Sequence, residues 1–101
     1  MGQNSNIRIF LEEGKYTFSR HARERMFERN IDTDQVFNCI LSGSVIEEYS
    51  DDFPCPSVLS QYKDSSCDLY VVYAICPHYL VVVTAYYASS DYDLPGRIKW
   101  F

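Results

Sequence analysis

His21 and Arg25 stand four residues apart in Ser19-Arg20-His21-Ala22-Arg23-Glu24-Arg25-Met26-Phe27-Glu28-Arg29. On a helix that spacing puts both on one face, with Arg29 a further turn along. Imidazole titrates near neutral pH, so it can accept a proton and return it. A guanidinium fork can hold a phosphate and stabilise charge that grows in a transition state. The combination suits phosphodiester cleavage, with His21 and Arg25 as catalytic candidates. Ser19, Arg20 and Arg29 are the substrate-binding candidates, since the helix start at Ser19 to His21 offers unpaired amides and a favourable dipole to an anion. The plainer interpretation is that Arg20–Glu24 and Arg25–Glu28 are ordinary surface pairs and that His21 is packed or capped.

A second pair lies near the end of the chain, where Thr84 interrupts the run Leu80-Val81-Val82-Val83 and Tyr86 shares its face under period-2 alternation. A tyrosine hydroxyl can serve a leaving oxygen and a threonine can position a phosphate, so Thr84 and Tyr86 join the catalytic candidates. Both types are also common in strands for reasons of packing alone. His78 follows Pro77 and reads as a turn residue. The four cysteines, Cys39, Cys55, Cys67 and Cys76, contain no Cys-x-x-Cys pair and no zinc spacing, so neither a metal nor another cofactor is expected.

Three helices are predicted to lead the chain. Asn4 or Ser5 caps a short helix bearing Ile7, Phe10 and Leu11, which Gly14 stops with a left-handed residue. After an extended link over Lys15-Tyr16-Thr17-Phe18, Ser19 caps a helix of roughly Arg20 to Glu28 with Ala22 and Met26 inward and Asn30 at its end. Asp32 and Gln35 form a capping box for the third, Ile31 and Val36 its hydrophobic staple, and Gly43 its stop. Strands follow near Val45–Tyr49, Ser57–Tyr62, Asp68–Ile75 and Tyr79–Tyr87. The short connections favour an α+β fold in which two to three N-terminal helices pack on a four-stranded antiparallel sheet. The last two strands are almost continuously apolar, so both their faces should be covered.

At 101 residues, 47% apolar and 16% aromatic, the chain suits a single domain over 1–101, with a core of about 5–88 and a C-terminal tail at 89–101. The net charge of −5 argues against a general nucleic-acid binder, DNA included. It is unevenly spread: residues 1–30 hold six Lys/Arg against four Glu, and the other 71 hold three against ten acidic residues. One basic helix on an acidic body can focus a single anion site. No secretory start, lipidation motif or membrane-length apolar run is seen, so a cytoplasmic protein with reduced thiols and no membrane partner is expected.

The stretch from Phe18 to Ile31, the following helix and Gly43, Val45-Ile46-Glu47-Glu48-Tyr49 and the closing Val81-Val82-Val83-Thr84-Ala85-Tyr86 resemble the bacterial family called domain of unknown function 4258. Its signature is a Ser-x-His-Ala-x-x-Arg-Met helix, and the likeness covers roughly residues 5–88. That resemblance implies a layout similar to the RelE, barnase and colicin-like nucleases, and a toxin paired with a small zinc-ribbon antitoxin. It also implies that His21 and Arg25 fill the marked helix positions and Thr84 and Tyr86 those of the last strand. Asn30 replaces a glycine that follows Arg29 in the family. Two readings result: a metal-independent endoribonuclease toxin acting on RNA, or a non-catalytic binding module that engages a protein through its acidic face or its Trp100 and Phe101 tail.

Overall fold

The computed structural model describes residues 2–63 and 68–87, the side chains of 2–5 excepted. Cys67 and the tail with Trp100 and Phe101 therefore lie outside the described residues. In chain order the elements are α1 (Gly2–Glu12), β1 (Tyr16–Phe18), α2 (Arg20–Arg29), α3 (Thr33–Ser42), β2 (Ser44–Tyr49), β3 (Ser57–Lys63), β4 (Asp68–Ile75) and β5 (Leu80–Tyr87).

Local signals explain most helix ends. Ser19 Oγ accepts from the Ala22 amide and caps α2, and Asn30 closes that helix in the left-handed region at φ 58. Asp32 and Gln35 make the reciprocal capping box of α3, at 2.8 and 2.9 Å. The staple residues Ile31 and Val36 are both buried. Gly14, at φ 74, follows α1 as a left-handed residue. That helix begins at Gly2, ahead of the expected Asn4 or Ser5 cap. First-turn amides have no intrahelical partner to lose, so polar residues there are cheaply absorbed.

Gly43 ends α3 as expected. Its backbone is extended, φ −78 and ψ 179, so no left-handed conformation requires a glycine. A Cβ there would meet the Gln61 carbonyl oxygen at 2.5 Å, Ser60 Oγ at 2.9 Å and the Cys39 carbonyl oxygen closer still. Glycine is required by the close approach of α3 to β3.

The sheet has five strands in the order β1-β5-β4-β3-β2 and is mixed, which corrects the four-stranded antiparallel expectation. The added strand is the segment read as an extended link. Tyr16, Thr17 and Phe18 pair in parallel with Leu80, Val81 and Val82. Tyr16 and Phe18 turn inward onto Phe37 of α3, with ring centroids 5.0 and 6.4 Å away, while Thr17 is exposed. Aromatic burial on one side and ladder hydrogen bonds to β5 hold so short a strand. The other four strands form the predicted antiparallel meander.

Both faces of β4 and β5 carry buried residues, as their apolar runs imply, although Ala74, Val81 and Val83 on the second face are only half-buried. Ile7, Ala22, Met26, Val36, Cys39 and Ile40 pack with Leu69, Val71, Tyr73, Leu80, Val82 and Ala85 on the helical face. Leu59, Tyr70, Val72 and Tyr86 form a second cluster on the opposite face. A bulge in β5 controls which face each residue takes. Val72 and Tyr73 are adjacent on β4, yet their partners on β5 are Thr84 and Val82, so Val83 is the extra residue.

Candidate functional site

Where β1 ends, α2 takes over the edge of β5. The Ser19 amide donates to the Val82 carbonyl at 2.9 Å, and Ser19 Oγ donates to the Val83 carbonyl at 2.9 Å. At the other end of the helix, Arg29 Nη1 donates to the Ala85 carbonyl at 3.3 Å. The anchors at Val83 and Ala85 bracket Thr84. Ala22 and Met26 bury the inward stripe of α2, which fixes its rotation about its own axis.

That rotation leaves His21, Arg25 and Arg29 half-buried along one flank. Burial, and after it the positive charge of Arg25, hold the His21 imidazole below its ordinary pKa, with a further push from Arg29. Glu24 and Glu28 oppose the shift. A neutral imidazole beside two guanidinium groups is the form that can accept a proton while an anion is held nearby. Arg25 Nη1 also donates to Glu28 Oε1 at 2.8 Å, so an anion must share or displace that carboxylate.

The other predicted residues divide. Arg20 is on the solvent side, its side chain 93% exposed and paired with Glu24 at 3.2 Å. Thr84 and Tyr86 share a face as alternation requires, but the bulge turns them to the side opposite the helical core. Each is only 2% exposed, and the Tyr86 ring stacks on Tyr70 with centroids 5.2 Å apart. The structure thus gathers Ser19, His21, Arg25 and Arg29 on α2 beside β5, and holds Thr84 and Tyr86 as buried strand residues. Among the described residues, no three His, Cys, Asp or Glu side chains gather where a metal could be held.

Residues 18–87 match the family described as Domain of unknown function (DUF4258), from the last residue of β1 to the end of β5. The chain belongs to this family. No curated protein and no solved structure matches it. The part matched includes every DUF4258 residue discussed above as a site candidate, and it leaves α1 and the first two residues of β1 outside. Among the described residues, no DUF4258 helix is long and apolar enough to cross a membrane.

The expectation of reduced thiols fails at Cys55 and Cys76, which form a disulfide. The cause is register. Each cysteine lies two positions beyond the Ser57–Ala74 pair at the open end of the β3–β4 hairpin, so the two face one another. The Ile75 amide donates to the Pro56 carbonyl at 2.8 Å between them. Equal spacing of the two cysteines about the Lys63–Asp68 pair is the sequence signal that could have shown this pairing. Cys39 is a buried free thiol on Ser60 and Leu69 carbonyl oxygens, and burial pushes it up to about 12.

Proposed function

We propose that this DUF4258 protein is a toxin-like, metal-independent endoribonuclease of RelE-like layout. The observation that carries the reading is the His21 imidazole, half-buried and depressed in pKa by burial and by Arg25. Neutral His21 takes the proton of a ribose 2′-hydroxyl, and the new oxyanion attacks the adjacent phosphorus. Arg25, released from Glu28, stabilises the crowded phosphorane, and Arg29 and the Ser19 end of α2 hold the strand. The 5′-oxygen leaves with a proton returned by His21, and a 2′,3′-cyclic phosphate remains. Arg20, out on the solvent side, adds charge at longer range. Thr84 and Tyr86 act from beneath, Thr84 by setting the stretch of β5 to which α2 is anchored. Tyr86 reaches the leaving oxygen only where the second face is uncovered. RNA as substrate favours a cytoplasmic place of action, against the usual rarity of disulfides such as Cys55–Cys76 there, and, for a toxin, an antitoxin partner such as a zinc-ribbon protein.

The test is cleavage of a uridine-containing oligonucleotide by purified protein in chelator, with cyclic-phosphate ends scored. Wild type should cleave. His21→Gln should lose activity by about 10²–10⁴-fold, the usual range for a general base. Arg25→Lys should also lose activity, because an ammonium cannot reproduce the fork. Intact RNA with wild-type protein would sink the reading. The burial of Thr84 and Tyr86 favours a second reading, a non-catalytic protein-binding module. Under it, His21→Gln leaves the cellular phenotype unchanged.

A further inference from the structure

A pocket of about 270 Å³ opens on the second face of the sheet, over the bulged start of β5. Val81 and Val83 form part of its apolar lining, and the disulfide borders it. Two of its aromatic residues are exposed: Phe53 at 94% and Tyr79 at 43%. Its lining carboxylate is Asp52. Ser57 Oγ donates to Asp52 Oδ2 and the Asp52 amide donates to the Tyr49 carbonyl at 3.2 Å, which holds the carboxylate at the pocket. The disulfide and the Ile75–Pro56 hydrogen bond hold the loop carrying Asp52 and Phe53 against the end of β4.

Charge identifies the occupant. Among the described residues from 44 to 87, Lys63 is the sole Lys or Arg, and β3 carries it to the far end of the sheet from Ser57. Glu47, Glu48, Asp51 and Asp52 all fall on or just after β2. Lys15, whose carbonyl accepts from the Leu80 amide, turns its ammonium to Glu13 at 3.2 Å. At about 270 Å³ the pocket lies just under the range usual for drug-sized ligands, about 300–1,000 Å³, and has room for one long side chain. Aromatic faces together with one carboxylate match a planar cation that can stack and make a forked hydrogen bond. We propose that this pocket receives an arginine side chain presented by a partner protein, its guanidinium stacked on Phe53 and Tyr79 and bonded to Asp52. The site is separate from His21 and Arg25 and stands whether or not the protein cleaves RNA.

The experiment is an NMR titration of the full, oxidised chain with N-acetyl-Gly-Arg-Gly amide and with its citrulline counterpart, a neutral near-isostere. The arginine peptide should shift the Phe53 and Tyr79 ring signals saturably, and citrulline should bind about tenfold more weakly. Phe53→Ala, at a side chain almost wholly in solvent, should weaken arginine binding about fivefold without moving the melting temperature. Asp52→Asn should bring arginine and citrulline to the same affinity. The proposal is overturned if citrulline matches arginine on the wild-type chain, if an aspartate peptide shifts the same rings equally, or if Phe53→Ala binds arginine unchanged.

Discussion

Ser19 Oγ lies 2.9 Å from the Val83 carbonyl oxygen, to which it donates, and 2.9 Å from the Ala22 amide, from which it accepts. One hydroxyl therefore caps α2 and ties it to the bulge residue of β5. Ser19→Ala should cost about 1–2 kcal/mol for the cap alone and a further ~1 kcal/mol for the strand bond. Ser19→Asp keeps the acceptor and loses the donor, so its urea midpoint should fall between the alanine variant and wild type. Matching midpoints for Ser19→Ala and wild type would show that the bond to Val83 does not matter.

The depressed His21 pKa has a consequence for stability as well as catalysis. Its folded value lies below the unfolded value of 6.5, so the unfolded chain binds more protons in the interval between them. The contribution is fully present above pH 6.5 and is lost as pH falls through the folded value. Unfolding midpoints should therefore drop between pH 7.5 and pH 5, and by less in His21→Gln. An equal drop in both proteins would assign the acid sensitivity to other groups.

Removing the disulfide in Cys55→Ser/Cys76→Ser frees a 21-residue separation in the unfolded chain. The loss should be about 3 kcal/mol, as for other loops of that length. Cys39, buried and pushed up to about 12, should resist alkylation in the folded protein and react once denaturant is added. Rapid native-state labelling of Cys39 would contradict its placement between α3 and the sheet.

Gly43→Ala should destabilise by about 1–3 kcal/mol or more, because the new methyl group meets backbone oxygens and cannot push a flexible side chain aside. Gly14→Ala offers the comparison. There the space is open, and the cost comes from φ 74 alone. Thermal melts of the two variants separate the close approach from the backbone conformation.

The helices were legible because their signals are local. Ser19, Asp32, Gln35 and Asn30 act on amides and carbonyls within one turn, and the stripe of His21, Arg25 and Arg29 follows from helical spacing. Two features escaped because they are decided by distant chain. Tyr16–Phe18 has too few residues for a period, and only β5 makes it a strand. Strict alternation through Leu80, Val82, Thr84 and Tyr86 would put all four on one side, whereas the extra residue Val83 sends the latter two to the other face. The pairing of Thr84 with Tyr86 survives that shift, since both lie beyond the bulge. Their distance from solvent is a property of the packed sheet, to which spacing gives no access.

The parallel ladder between β1 and β5 joins the first and last strands of the described residues. A growing polypeptide can make α2 as soon as its residues are synthesised, but the carbonyls that hold it, at Val82, Val83 and Ala85, are added some sixty residues later. During synthesis the basic helix has no docking edge, and its histidine and arginines have no fixed neighbourhood. Nascent and truncated chains ending before β5 should therefore lack the candidate site altogether, so that whatever this helix does begins only once β5 has been made.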